Sequence, residues 1–92
     1  MPKLSRQALP PLAYRIVFDA ASGEWVLRKI DERGTKVLAA YPTQDAAVDD
    51  ARRLCGKIAA AGRDARLMVF DGAGNFAFAR EYERDKASGA PR

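Results

Sequence analysis

The hydrophobic period of this chain switches to helical spacing once and then returns to a period of two, which restricts the folds open to it. Tyr14-Arg15-Ile16-Val17-Phe18 and Trp25-Val26-Leu27-Arg28-Lys29-Ile30 alternate as strands do. Val48, Ala51, Leu54, Cys55 and Ile58 then recur at helical spacing, and Leu67–Phe70 and Phe76–Phe78 return to strand character. One helix set among short strands is the pattern of a single small domain. No comparably sharp signal marks an activity.

Turn and cap chemistry divides the pattern into elements. A strand over about residues 13–18 is followed by Asp19-Ala20-Ala21-Ser22-Gly23, a polar turn, and then by a strand over 24–30. Asp31-Glu32-Arg33-Gly34 ends on a glycine, where left-handed backbone is cheapest, and leads into an alanine-rich strand over 35–41. Thr43 is a natural N-cap, with Asp45 in the first turn favourable to the helix dipole; the helix runs to about Ala61, and Gly62 stops it. Strands over 65–70 and 76–82 flank Asp71-Gly72-Ala73-Gly74-Asn75. The expected fold is therefore α+β: an antiparallel sheet with one helix packed on one face, in the order β-β-β-α-β-β.

That domain is expected to span residues 13–83. Residues 1–12 hold Pro2, Pro10 and Pro11 and lack periodicity, and residues 84–92 are small and polar, so both ends are expected to be flexible tails. The formal charge of +4 lies on them. Lys3 and Arg6 give the first tail +2; Arg84, Lys86 and Arg92 against Asp85 give the second +2; residues 13–83 carry eleven basic and eleven acidic side chains. A basic fold is the usual electrostatic footprint of nucleic-acid binding, and this body lacks one in bulk. No apolar run of membrane-spanning length and no leader pattern is present, and a lone cysteine suits a reducing compartment. The expectation is a soluble, cytoplasmic protein with no membrane association.

A single helix covers one sheet face only. On the last strand, Phe76, Phe78 and Arg80 share one side by alternation, while Ala77, Ala79 and Glu81 share the other. Small alanines suit a close helix, which would leave Phe76 and Phe78 on the far face; the competing reading buries the phenylalanines beneath the helix. An apolar far face would suggest a protein partner or a homodimer.

The chain has no histidine, which removes the commonest acid–base group near neutral pH, the usual catalytic triads and most zinc sites. Cys55 falls on the apolar side of the helix, in phase with Ala51 and Ile58, and reads as a small buried hydrophobe rather than a nucleophile. Asp71–Asn75 is followed by a strand, not by the helix a phosphate loop needs, and lacks the ligand spacing of a calcium loop; it reads as a hairpin turn. Asp49-Asp50 and Asp31-Glu32 read as solvated charge, with Asp49 placed to pair with Arg53. No catalytic residue, cofactor or metal site is expected.

Trp25-Val26 in an early strand, Thr43 before the helix, the alanine-rich Ala47-Val48-Asp49-Asp50-Ala51-Arg52, and Phe70-Asp71-Gly72 with Gly74-Asn75-Phe76 and Tyr82 resemble domain-of-unknown-function family 2188, small bacterial proteins with a β-rich sheet and one helix. The likeness covers about residues 13–82, although the helix opens Thr43-Gln44-Asp45 where the family has lysine and glutamate, and the final turn is longer. The resemblance implies the same fold and supplies no activity or catalytic residue.

Two functions follow as expectations. The first is a non-enzymatic interaction module that binds a protein partner or a second copy of itself through an uncovered sheet face or edge, using Val17, Phe76, Phe78 and Arg80. The second is a nucleic-acid accessory protein. In it Arg15, Arg28, Lys36 and Arg66, interleaved with aromatic residues, hold phosphates and stack bases, and the basic tails add nonspecific contacts.

Overall fold

The computed structural model describes residues 10–84. They form β1 (Leu12–Asp19), β2 (Glu24–Asp31), β3 (Gly34–Tyr41), α1 (Gln44–Ala60), β4 (Ala65–Phe70) and β5 (Phe76–Tyr82), an α+β arrangement in the expected order. The two expected tails fall largely on residues 1–9 and 85–92, outside the described residues. The folded unit starts slightly before residue 13. The Leu12 N–H donates to the Asp64 carbonyl at 2.9 Å, and Arg63 donates from Nε and Nη2 to the Pro10 carbonyl at 3.2 and 2.9 Å.

The sheet order is β3-β2-β1-β4-β5, so β1 is central and β3 and β5 are the edges. β1–β2, β2–β3 and β4–β5 pair antiparallel, while β1 and β4 pair parallel. The parallel pair refines the expected all-antiparallel sheet, and it follows from the connection. After β3 the chain crosses back over the sheet as α1, and a crossover of that kind delivers its next strand parallel to one already laid down.

Each junction has a local cause. Thr43 is extended and its Oγ1 accepts the Ala46 N–H at 3.1 Å, satisfying one of the orphan donors of the first helical turn. At the other end Gly62 has φ +100; its N–H donates to Ala59 and that of Arg63 to Ile58, closing the last turn with a pair of nested bonds. In the β4–β5 turn the Asp71 carboxylate is consumed internally. Its Oδ1 accepts the Ala73 and Asn75 N–H groups, both at 2.9 Å, and Gly74 takes φ +88.

The core lies between α1 and one sheet face. Tyr14 and Ile16 from β1, Leu27 from β2, and Ala65, Leu67 and Val69 from β4 meet Ala47, Ala51 and Cys55 of the helix. The small helix residues let the backbone of α1 approach the sheet closely. Ile16, Leu67, Val69 and Cys55 are the largest side chains sealed completely, and burying each of the three aliphatics contributes about 1.5–3 kcal/mol.

Both edge strands carry one extra residue. Leu27 opposes Ala39 and Arg28 opposes Val37, so Leu38 bulges out of β3; Val69 opposes Phe78 and Phe70 opposes Phe76, so Ala77 bulges out of β5. Because side chains alternate along a strand, an inserted residue returns its neighbours on either side to opposite faces. Phe76 therefore joins Phe70 on the far face and Phe78 joins Val69 on the helix side. Neither sequence reading of these two phenylalanines was complete: the shared side expected for Phe76, Phe78 and Arg80 is broken at Ala77.

Candidate interaction face

The face that α1 leaves uncovered is built from alternate residues of all five strands. Register places Ala13, Arg15 and Val17 of β1 there, with Val26, Arg28 and Ile30 of β2 and Val37 of β3. On the other side of β1 it continues through Arg66, Met68 and Phe70 of β4 to Phe76, Ala79 and Glu81 of β5. Around its central arginines this surface is largely apolar, through Val17, Ile30, Met68 and Phe70. Phe76 and Val37 stand at opposite edges, 59% and 58% exposed, and the Phe76 ring meets that of Phe70 edge-on at 5.9 Å between centroids.

Three arginines cross this apolar ground. Arg66 is matched: its Nε lies 2.8 Å from Glu81 Oε2, directly across the β4–β5 ladder. Arg15 and Arg28 are not. They are opposed in the β1–β2 register, and among the described residues neither has a hydrogen-bonded or ion-pair partner. The Arg28 Nε is buried and has no acceptor among the described residues. The Arg15 guanidinium lies over the Phe70 ring, 5.9 Å from its centroid, at the outer limit of a cation–π contact. Two like charges thus face each other across the β1–β2 ladder, the exposed Arg15 beside the partly buried Arg28, and both favour an incoming anion.

Of the residues singled out by sequence, Val17, Phe76, Arg15, Arg28 and Arg66 share this face. Phe78 and Arg80 do not: they pair with Val69 and Leu67, whose side chains belong to the helix-side core. Lys36 pairs with Lys29, also on the helix side, because the Leu38 bulge puts it out of phase with Ala40, which pairs with Val26 on the open face. Met68, Phe70 and Val37 were missed. The signal for the first two was legible, since Arg66-Met68-Phe70 alternates against the buried Ala65-Leu67-Val69; Val37 is aligned by a bulge that no sequence period announces.

The helix side offers different chemistry. Cys55 is fully buried, and burial pushes its thiol up to about 11, the reverse of what activates a nucleophile. A shallow groove of about 300 Å³ lies between α1 and the edge of β3, lined by Leu27, Leu38, Tyr41, Asp50, Arg53 and Leu54. In it Tyr41 donates to Asp50 Oδ2 at 2.5 Å. Burial, reinforced by that bond, raises the phenol to about 12, while the same bond holds the Asp50 carboxyl below its ordinary range. Neither group exchanges a proton near neutral pH, so the pair fastens β3 to α1 instead of offering an acid or a base. Arg53 pairs with Asp50 at 3.2 Å, three residues away, in place of the expected Asp49.

Among the described residues there is no cluster of three or more potential metal ligands, and no helix long and apolar enough to cross a membrane. Fold and surface together define a five-stranded α+β sheet layered on one side and open on the other. Compared with known protein families, curated proteins and solved structures, the chain finds no match.

Proposed function

We propose that this chain is a small non-enzymatic interaction module that docks a macromolecular partner on the open face of its sheet. The observation that carries this reading is the unmatched pair Arg15–Arg28 set among the apolar side chains of that face. A surface evolved only for solubility would place acids beside those arginines, as Glu81 stands beside Arg66. The bulges support docking on the face over docking on an edge: both edge strands are interrupted, at Leu38 and Ala77, and an interrupted edge is a poor template for another strand. The non-enzymatic part rests on the absence of histidine, the buried high-pKa thiol of Cys55 and the structural use of Tyr41–Asp50. A free buried cysteine agrees with residence in a reducing cytoplasm.

Nucleic-acid binding is the second reading, favoured by one observation: Arg15, Arg28 and Arg66 line one face together with two aromatic rings. It ranks below the first because Arg15 already covers Phe70, leaving Phe76 as the open face's well-exposed ring, and Arg66 is engaged by Glu81. The resemblance to family 2188 adds no activity to either reading. In-cell photo-crosslinking tests the proposal. A benzophenone side chain at position 76 gives a discrete adduct in the native host, and one at position 52, on the outer side of α1, gives none. Equal labelling from both positions, or none from position 76, contradicts it.

A further inference from the structure

We infer that the occupant of the open face is an acidic amphipathic helix of a partner protein, whose apolar residues rest on Val17, Val37, Met68 and Phe76 while a carboxylate enters between Arg15 and Arg28. The inference rests on the docking reading above and adds the chemical class of the partner.

Charge complementarity decides between occupants. Arg15 lies on the central strand and Arg28 on its neighbour, so the unmatched positive charge sits near the middle of the face. A second copy of this chain, docked face to face about a two-fold axis, would bring that pair against itself, since such a contact joins the same patch on both subunits. Four guanidinium groups would then meet in a desolvated centre. A carboxylate relieves the same site. It can accept from both arginines, provides an acceptor beside the buried Arg28 Nε, and turns a repulsive cross-strand pair into a bridged one.

Shape and surroundings favour a protein helix over a nucleic-acid strand. Most side chains flanking the arginines at the surface are aliphatic: Val17, Ile30, Val37 and Met68. Aliphatic surface gives bases no flat partner to stack on, whereas it buries well against leucine or isoleucine. Five strands at about 4.8 Å spacing make a face about 19 Å across, which about thirteen residues of helix span at 1.5 Å each. The opposite face already carries a helix, and a second one completes a three-layer arrangement in which the central parallel pair β1–β4 is buried on both sides.

The test is a selection of binders from a displayed library of random amphipathic helices on the full chain. Affinities of the enriched peptides are then measured against three full-length variants: Phe76→Glu, the double variant Arg15→Gln/Arg28→Gln, and Arg52→Glu on the outer side of α1. Phe76, Arg15 and Arg52 are exposed and Arg28 is partly buried, and thermal melts check the fold. The expected peptides carry Asp or Glu flanked by apolar residues at helical spacing. They lose about tenfold or more in affinity on the double arginine variant, weaken as salt rises, and bind the Arg52 variant normally. Peptides blocked by Phe76→Glu but indifferent to the arginine variant overturn the acidic class while leaving the docking face standing. Peptides indifferent to both, or no enrichment at all, overturn the face itself. A single-stranded RNA 12-mer that binds more tightly than the peptides through the same arginines assigns the face to nucleic acid, and a dimer abolished by Phe76→Glu assigns it to a second copy.

Discussion

Arg15 and Arg28 stand directly opposite each other across β1 and β2, both unmatched among the described residues, and the Nε of Arg28 is buried without an acceptor. Side chains opposed in this way are separated by only about 5 Å at Cβ, close enough for like charges to repel measurably. A free domain gains nothing from the arrangement.

Removing the repulsion should therefore stabilise the unbound protein. Arg28→Met keeps the aliphatic stem, deletes the charge and deletes the orphaned donor. It is predicted to raise the stability measured by urea denaturation by about 1 kcal/mol. A loss of stability would mean that the Arg28 guanidinium is held by favourable contacts in the free state.

The bulge at Ala77 makes the two phenylalanines of β5 unequal. Phe78 pairs with buried Val69 and is 36% exposed, whereas Phe76 lies on the open face at 59%. Phe78→Glu places a carboxylate beside the helix-side core and should lower the melting temperature clearly more than Phe76→Glu. Equal losses would contradict the split between faces.

Core and cap substitutions separate packing from local structure. Leu67 is completely buried beneath α1, and Leu67→Ala should cost about 2–5 kcal/mol, a large share of a small domain's stability. Thr43→Ala, which removes the oxygen that accepts the Ala46 N–H, should cost about 1 kcal/mol. Denaturant midpoints at unchanged m-value would check both.

Stability should fall on the alkaline side. Burial raises the Cys55 thiol from 9.0 to about 11, so the unfolded chain ionises first and the stabilisation present below pH 9 is lost as pH rises toward 11. Tyr41, raised from 10.0 to about 12, extends the loss upward. At the acid end Asp50 works in the opposite sense: its pKa is lowered, first by the Tyr41 hydrogen bond, so its contribution is present above 3.8 and lost as pH falls. A carboxyl titration by NMR should find Asp50 moved back upward in Tyr41→Phe. Rapid thiol labelling of native protein at neutral pH would contradict the Cys55 account.

Much of the architecture was legible because local rules and the global fold agree. Thr43 and Gly62 mark the helix ends by chemistry that operates within a few residues, and Asp71 with Gly74 specifies the last turn in the same way. What escaped is long-range. The parallel pairing of β1 with β4 depends on where the crossover lands, about fifty residues downstream of β1. The bulges at Leu38 and Ala77 shift side chains from face to face without any change in composition, so Phe78, Arg80 and Lys36 were grouped with residues they do not accompany. Val17 and Phe76 were expected as partner-binding residues and Arg15, Arg28 and Arg66 as a separate nucleic-acid set; pairing across β1, β2, β4 and β5, which no single strand's alternation reveals, is what brings the five onto one face.

Met68 offers the most direct reading of the central claim. It lies on the open face between Arg15 of β1 and Ala79 of β5, and the chain's other methionine is Met1. With methyl-labelled methionine, the Met68 signal followed in extract of the native host should shift or broaden. It should return to its free position when Arg15 and Arg28 are both replaced by glutamate. A Met68 signal that stays at its free position, or one that responds identically in the charge-reversed variant, would contradict the claim that this face is where the protein binds.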